Sequence, residues 1–350
     1  MIDPARLQFI PPEFHAQHEF CFRMHDMMVD VLRQSEAARI ADVRVTFRDD
    51  DDARAFTAAD DKIAYFIETD RAEIARRITV NQVVIPLYSD MLHFLYEGLI
   101  ALEKRKYAVA FTMLRKPLKY GLLFATWLWA DQDDFYAKMA ASPADHMDDR
   151  KITKERRMEL LRASITALGE DGSFCDAGVL YGVVFDRNNN RGLAQFFDKA
   201  AHLVTSHPAM RTEQLNLNFI FKSPKDTDVY EGVYYWLAYL MMYLLLIQAR
   251  TFGRMMVISE TYVRWAFTSM LGTFEALFSN GDGGLFGSLN DAFGTMLICV
   301  ACRSQMSITR ENAARVLVAE LIGCTACGQE QQFPLFWLMS QAGVATLPAG

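Results

Sequence analysis

Four cysteines near the C-terminal end of the chain have the spacing of a metal site. They form two Cys-x-x-Cys pairs, Cys299 with Cys302 and Cys324 with Cys327, and twenty-one residues separate the pairs. A two-residue spacer lets both thiolates of a pair reach one ion, and two pairs complete the closed tetrahedron of a structural zinc site. With all four positions filled by thiolates, no place is left for a reactive water. The spacing therefore predicts a Zn²⁺ ion that stabilises the fold and does not catalyse.

A Cys-x-x-Cys pair can also act as a redox dithiol, but that chemistry needs only one pair, so two pairs favour zinc. The other two cysteines, Cys21 and Cys175, do not extend the pattern to a disulfide framework. We therefore expect reduced thiols and a cytoplasmic protein. The first residues also lack a basic segment followed by a long apolar stretch, so we predict no secretory signal.

The composition is typical of a globular protein with a sizeable core. Of the 350 residues, 51% are hydrophobic and 12% are aromatic, which is enough for two or three domains. The formal net charge is -7 at pH 7. This charge argues against binding nucleic acid or anionic lipid over the whole surface, so binding of either kind would have to be local.

Apolar residues recur mostly at three- and four-residue steps, which is the period of amphipathic helices. We predict a mainly α-helical protein, with a multi-helix body and a small C-terminal zinc-binding module of four cysteines. Residues 214–221 alternate polar with apolar side chains and are the best strand candidate. The acidic run 49–52 is predicted as a solvated loop, with a divalent cation site as the alternative. The predicted helices cover residues 13–40, 85–102, 107–130, 154–168, 176–185, 193–205, 232–247 and 256–278.

The segment Gly232 to Ile247 is uncharged and rich in Leu, Met, Tyr and Trp, so a membrane span is an alternative for it. Glu231 and Arg250 bound only eighteen residues, tyrosines occupy the middle portions, and no basic loop accompanies them. These features favour a buried central helix, and we expect no membrane span.

One basic concentration stands out in this acidic sequence. It could contact the phosphates of a nucleic acid, but a solvated helix face or a set of intramolecular ion pairs fits the same residues. Pro117 lies among them and should kink the helix predicted over 107–130 or mark its start. The basic residues are Lys104, Arg105, Lys106, Arg115, Lys116 and Lys119.

A glycine-rich segment is the best domain boundary. Residues 279–288 contain four glycines and end the helical pattern. The segment neither follows a clear strand nor carries the lysine of a P-loop, so a linker is predicted rather than a phosphate-binding loop. The predicted domains are a helical body over residues 1–280, a connector over 281–298, and a zinc-binding module with a C-terminal segment over 299–350.

The two cysteine pairs resemble the knuckles of zinc ribbons and related zinc-binding modules, over residues 299–328 only. Gly328, which follows the second pair, suits the tight turn in which backbone N–H groups point at a thiolate. The segment from Thr309 to Leu321 departs from this family, because it is predicted as a helix with Thr309 as N-cap, where ribbons place β-hairpins. The resemblance implies a structural zinc ion and leaves the topology of the module open.

The standard catalytic motifs are missing, since no HExxH, GxSxG, Walker or protein-kinase signature is found. The helical body resembles HEPN-type proteins, which include metal-independent ribonucleases of bacterial toxin and defence systems. The motif of that family, an Arg followed after four to six residues by His, is not found in this chain. The resemblance implies only that Arg115 and His202 could meet through the fold. Arg211 is a further catalytic candidate, and a cleft that holds all three side chains would favour an enzyme. His93 and Glu97, four residues apart, are another candidate pair of base and orienting acid.

Two hypotheses follow. The first is a recognition or regulatory protein that binds a protein or nucleic-acid partner, or a second copy of itself, with the zinc module as a stabilised binding surface. It rests on the closed metal site, on the aromatic residues and 18 methionines, and on the lack of a catalytic set. The second is a ribonuclease-like effector that acts through Arg115 and His202. Whether the protein is an enzyme stays open.

Overall fold

The computed structural model of the chain describes residues 2–219, 228–279 and 284–342. Within these ranges the fold is almost entirely α-helical, as the apolar periodicity predicts, and two three-residue strands form a hairpin. The helices of the first half are α1 (Pro4–Leu7), α2 (His15–Ala37), α3 (Asp50–Ala58), α4 (Lys62–Glu68), α5 (Ala72–Glu103), α6 (Tyr107–Arg115), α7 (Leu122–Ala130), α8 (Gln132–Ala141), α9 (Pro143–His146) and α10 (Lys154–Leu168).

The second half contains the remaining helices and both strands. They are α11 (Ala177–Val184), α12 (Ala194–Ala201), α13 (Asp228–Gly253), α14 (Glu260–Phe278), α15 (Leu285–Phe293), α16 (Arg310–Ala319), β1 (Leu321–Gly323), β2 (Glu330–Gln332) and α17 (Leu335–Ala342). Short 3-10 turns cover Pro12–Phe14, Gly169–Gly172, Pro208–Met210 and Gly294–Met296.

The chain divides into two compact units. One unit comprises Met1–Met24, Ser223–Leu246 and Ile258–Gly350, and the other comprises His25–Lys222 and Ile247–Val257. Both α2 and α13 therefore contribute residues to each unit. The boundaries predicted after residues 280 and 298 stay a prediction, and residues 280–283 of the glycine-rich segment lie outside the described ranges.

In the unit that contains His25–Lys222, α5 is the longest helix. It begins at Ala72, well before the predicted start at Ile85, and carries Pro86 inside it. The helix predicted over 107–130 is interrupted by a π-helical turn at Lys116–Gly121, in which Pro117 is the second residue. Proline has no N–H to donate, so the regular ladder of hydrogen bonds cannot continue through it and the turn widens. The predicted kink at Pro117 thus takes the form of a π-helical turn.

In the other unit, α14 and α16 pack closely against each other. Gly272 of α14 makes this possible, since a Cβ built there would lie 2.6 Å from Cδ1 of Leu317 on α16. A hydrophobic cluster surrounds this contact and extends from Ala276 to Met339. Its members also include Cys299 and Cys324, so the cysteine pairs are joined to the helices by a shared core.

Two helices of the described residues, α5 and α13, are long and apolar enough to cross a membrane. In the most apolar stretch of α13, 78% of the residues are buried inside the protein, against 39% in α5. Such burial is typical of a central core helix, which is the structure predicted for this segment from its sequence. The expectation of no membrane span stays a prediction.

Two local predictions differ from the structure. The acidic run forms the start of α3, because the Asp49 side chain accepts a hydrogen bond from the backbone N–H of Asp52 as an N-cap. Carboxylates in a first helical turn are favoured by the helix dipole, which a loop prediction overlooks. The strand candidate contains no strand over 214–219, and residues 220 and 221 lie outside the described ranges.

Candidate metal centre

The first cysteine pair lies in a tight knuckle between Ile298 and Gln305, which form an isolated antiparallel bridge. Inside this knuckle the backbone N–H of Cys299 donates to the carbonyl of Ser304 at 2.9 Å. The N–H of Arg303 donates back to the carbonyl of Cys299 at 2.9 Å. These bonds close a turn around the first pair and hold both sulfur atoms on one side of it.

The second pair lies at the tip of the β1–β2 hairpin and repeats the same pattern. The two strands pair antiparallel, with Ile322 opposite Gln331. The N–H of Cys324 donates to the carbonyl of Gln329 at 2.8 Å, and the N–H of Gly328 donates to the carbonyl of Cys324 at 2.9 Å. The two knuckles therefore have the same hydrogen-bond pattern and direct their sulfur atoms towards each other, which is consistent with the zinc-ribbon-like resemblance.

The four sulfur atoms form one compact cluster. The Sγ atoms of Cys299 and Cys327 lie 3.6 Å apart, as do those of Cys302 and Cys324, and all four lie within 4.8 Å of one another. Four thiolates on a tetrahedral zinc ion, with Zn–S bonds of about 2.3 Å, have edges of about 3.8 Å. A disulfide needs an S–S distance of about 2.05 Å. The cluster thus has metal-binding dimensions and fits a four-coordinate ion.

Hydrogen bonds in the first knuckle favour the thiolate form. The hydroxyl and N–H of Ser304 hydrogen bond to the Cys302 sulfur and lower the pKa of this thiol to about 6. The N–H of Cys302, and more weakly that of Ala301, lower the pKa of Cys299. At neutral pH the metal-free cluster therefore already carries negative charge, which is the form that a cation binds.

Cys327 behaves differently in the metal-free cluster. The N–H of Gln329 lowers the pKa of this thiol, but the neighbouring sulfur atoms and burial outweigh that effect and raise the pKa to about 12. A bound cation would have to displace this proton. Metal binding should therefore release protons.

The Gln331 side chain connects the two knuckles. Its Oε1 accepts from the N–H of Val300 at 2.8 Å, and its Nε2 donates to the carbonyl of Ile298 at 3.1 Å. A glutamine on β2 thereby satisfies backbone groups of the other knuckle, more than thirty residues away in sequence. The role of Gln331 was not predicted from the sequence. No local pattern marks a glutamine on a strand whose side-chain partners lie in the other knuckle.

The helix predicted between the knuckles is confirmed as α16. Thr309 is its N-cap and forms a capping box with Asn312, since each side chain accepts from the other's backbone N–H. The module therefore has a helix between its hairpins, which is the departure from ribbons noted in the sequence. Val316 and Leu317 of α16 are buried in the cluster that includes Cys299 and Cys324.

The three catalytic candidates lie at the end of α6, just after α12 and just after a 3-10 turn. Arg115 is half-buried at the end of α6, and its Nη2 lies 3.4 Å from Oδ1 of Asp198. His202 is exposed and follows α12, and Arg211 is exposed after a 3-10 turn. Among the described residues no hydrogen bond or ion pair joins these three side chains. Their catalytic role stays a prediction.

The six basic residues between Lys104 and Lys119 lie partly at the surface and partly in the interior. Lys104 and Lys106 are exposed, whereas Arg105 is half-buried beside the Tyr107 ring. Lys116 forms an ion pair with Asp90 at 2.8 Å. The remaining two basic side chains, Arg115 and Lys119, point at a buried carboxylate.

His93 and Glu97 lie on one face of α5, as predicted, and line a cleft of about 290 Å³. The buried His25 of α2 lines the same cleft, and its Nε2 lies 3.2 Å from the carbonyl of Leu92. His25 was not predicted as a site residue, because a single histidine in an apolar helix face carries no motif. Ser89 also lines the cleft, and among the described residues no hydrogen bond joins its hydroxyl to His93 or Glu97.

Comparisons of the sequence and the structure with known proteins add no family to this geometry. No protein-family model matches the chain, and neither the curated proteins nor the solved structures gave a match.

Proposed function

We propose that this chain is a zinc-containing recognition protein, in which a structural Zn²⁺ ion held by Cys299, Cys302, Cys324 and Cys327 maintains a binding surface for a protein partner. The observation that supports it best is the set of four sulfur atoms within 4.8 Å, presented by two linked knuckles. A closed four-thiolate site stabilises structure and leaves no coordination position for substrate.

The surface in question is the outer side of the first knuckle. Met296, Ile298 and Val300 have exposed fractions of 58%, 38% and 68%, and they follow each other at two-residue steps. Met296 ends a 3-10 turn, Ile298 forms the bridge with Gln305, and Val300 lies in the turn that follows, so the three exposed side chains lie close together along the start of the knuckle. Clustered exposed apolar side chains are typical of a surface that another protein covers. Because Val300 lies between two ligands of the ion, metal binding would fix the shape of this surface.

A nucleic-acid partner and a ribonuclease activity have less support. Several residues of the basic concentration form internal contacts, which leaves Lys104 and Lys106 as its exposed pair. Arg115 faces Asp198 instead of a histidine. Neither arrangement favours phosphate-backbone binding over a protein partner.

The metal part of the proposal is tested by measuring zinc in the purified protein and by replacing it with Co²⁺. We expect one zinc per chain and the strong thiolate-to-cobalt absorption of a tetrahedral four-sulfur site. Cys302→Ser should lose the metal, while Cys175→Ser, a change of the same type outside the cluster, should retain it. A protein that binds no zinc, or a Cys302→Ser variant that binds it as the parent does, contradicts the proposal.

The recognition part is tested with a charge on the apolar surface. Val300→Asp should abolish binding to the partners that copurify with the parent protein, or its self-association, while leaving zinc bound. Val109→Asp is the matched control, because Val109 is 46% exposed on α6, away from the cysteine pairs in sequence. Equal binding by the parent and both variants would rule out this surface.

A further inference from the structure

A second charged cluster lies around Asp198, in the unit that contains His25–Lys222. This carboxylate is buried on α12 and faces three cations. The Nε of Arg187 donates to Oδ2 at 2.7 Å, the Nη2 of Arg115 lies 3.4 Å from Oδ1, and the Nζ of Lys119 lies 3.9 Å from Oδ1. Asp149 also acts on the charge of Lys119, so the three cations face two carboxylates and one positive charge is in excess.

The cations have hydrogen-bond donors to spare. Lys119 is nine-tenths buried, with 10% of its side chain exposed, and its contact with Asp198 at 3.9 Å is too long for a hydrogen bond. The Nε of Arg115 is buried and has no hydrogen-bond partner. Arg187 uses only its Nε on the carboxylate. Oδ1 of Asp198, which Arg115 and Lys119 face, is likewise buried without a hydrogen-bond partner. Buried polar groups left unpaired are costly, and a small polar ligand between them would satisfy the donors and this acceptor.

Electrostatics point in the same direction. Burial lowers the pKa of Lys119, and the charges of Arg115 and Arg187 lower it further, while Asp198 and, more weakly, Asp149 oppose this. The pKa of Lys119 is lowered overall, so the two carboxylates only partly offset the cost of burying its charged ammonium group. An anion bound beside Lys119 would stabilise that charge further.

The cluster is held in place before any ligand arrives. Arg115 ends α6 and Lys119 lies in the following π-helical turn, a type of turn that is frequent at functional sites. The loop that carries Arg187 is tied down at both sides, since Gln195 Nε2 donates to the Arg187 carbonyl and Asn189 Nδ2 donates to that of Gly182, each at 2.9 Å. The ring of Phe196 on α12 stacks on Phe111 of α6 at 4.8 Å, which sets the spacing of the two helices.

We propose that Arg115, Lys119 and Arg187 form a binding site for a phosphate group, in which Asp198 keeps the three cations in position. The excess of positive charge favours an anion over a cation or a neutral ligand. Two guanidinium groups and an ammonium group supply the several N–H donors that its oxygen atoms accept.

The site suits a terminal phosphate. Arg187 is the outermost of the three cations, with 48% of its side chain exposed, whereas Lys119 is nearly enclosed. A ligand therefore enters past Arg187, and only a small group reaches Lys119. Free phosphate or a phosphomonoester has such a group with two negative charges, while an internal phosphodiester of a nucleic acid has one charge and two bulky substituents.

The test is binding of inorganic phosphate to the full chain, measured by calorimetry and thermal unfolding at constant ionic strength with chloride as the reference. We expect phosphate to bind with a stoichiometry of one and to raise the unfolding temperature more than chloride does. Arg187→Gln should weaken binding about ten-fold, because a charge-assisted donor is lost. Arg162→Gln, the same change at an exposed arginine of the same unit, should bind like the parent.

A second set of variants and probes completes the test. Lys119→Gln should also weaken phosphate binding, and Asp198→Asn should strengthen it where the protein folds. Comparing adenosine monophosphate, adenosine and free phosphate distinguishes a phosphomonoester ligand from phosphate itself, since adenosine should not compete. Phosphate that stabilises no more than chloride, or unchanged binding in Arg187→Gln, overturns the site.

Discussion

Arg303 and Gly328 occupy equivalent positions in the two knuckles. Each follows the second cysteine of its pair, and each has a positive φ, 61° for Arg303 and 76° for Gly328. Each also donates its N–H to the carbonyl of the first cysteine at 2.9 Å. The left-handed conformation is strained for residues with a Cβ and free for glycine. The second knuckle therefore has an unstrained glycine at this position, whereas the first has a strained arginine.

Substitutions at these two positions should affect zinc affinity differently. Gly328→Ala should destabilise the metal-bound module by about 1 kcal/mol and weaken zinc binding about five-fold, because only backbone strain is introduced. A Cβ there would meet nothing within 4 Å. Arg303→Gly should leave zinc affinity unchanged or raise it. Competition with a chromophoric chelator measures both.

Gly323→Ala is the control for this pair, since Gly323 lies on β1 without a positive φ and a Cβ there also meets nothing within 4 Å. It should bind zinc like the parent. Equal affinities for Gly328→Ala and Gly323→Ala would show that the left-handed backbone does not limit the knuckle.

The Gln331 amide should contribute to metal affinity without contacting the metal. Gln331→Ala removes the bonds to Val300 and Ile298, and we expect zinc binding to weaken about ten-fold, as is usual for groups that orient ligands. Gln332→Ala changes the next residue of β2, whose side chain is exposed, and should have no effect. If both variants bind zinc alike, the two knuckles are held together by other contacts.

The cluster of four cysteines was predictable because the spacing within each pair is local. Two residues separate the cysteines of each pair, so the sequence alone shows that they can share an ion. The partners of Gln331 and of Asp198 lie tens of residues away, and only the folded chain brings them together. For Asp198 a signal was present: an acidic residue beside Phe197 on an apolar helix face predicts a buried carboxylate that needs cations.

The fold was predictable where periodicity was strong and uncertain where it was weak. The helix predicted over 154–168 has these bounds in the structure. In contrast, α5 extends to Ala72 through Pro86, because packing on one face maintains a helix that proline disfavours. The strand candidate 214–221 failed over its described part, since alternation without a partner strand does not make a sheet.

The reactivity of Cys302 in the metal-free protein should depend on Ser304. The parent should be alkylated by iodoacetamide with an apparent pKa of about 6 at Cys302, and Ser304→Ala should raise this pKa because the hydrogen bond between the Ser304 hydroxyl and the Cys302 sulfur is lost. The pH dependence of labelling, followed residue by residue with mass spectrometry, measures the shift. Ser307→Ala, nearby in the chain, should label like the parent, and bound zinc should protect Cys302 in every variant. A pKa that does not move in Ser304→Ala contradicts the assigned hydrogen bond.

Asp52 should support folding in a pH-dependent way. The Tyr65 hydroxyl donates to Oδ1 at 2.5 Å, and Arg71 donates to both carboxylate oxygens at 2.8 and 2.9 Å. The Tyr65 hydroxyl, the N–H of Arg48 and the Arg71 guanidinium lower the pKa of Asp52 to about 2. The pKa is thus lower in the folded chain than in the unfolded chain, where it is about 4. The contribution to stability is therefore complete above pH 4 and is lost as the pH falls towards 2.

Urea unfolding of the parent and of Asp52→Asn between pH 7 and pH 2.5 tests this expectation. The variant should be less stable at pH 7, and the difference should shrink as the pH falls below about 4, because the parent then gains the proton that cancels its charge. Asp51→Asn removes the same charge from an exposed residue whose ion pair, within the part of the chain that the structure describes, is with the exposed Arg54, so the stability of this variant should follow that of the parent. A difference between parent and Asp52→Asn that stays constant over this range would mean that the carboxylate charge does not stabilise the cluster with Tyr65 and Arg71.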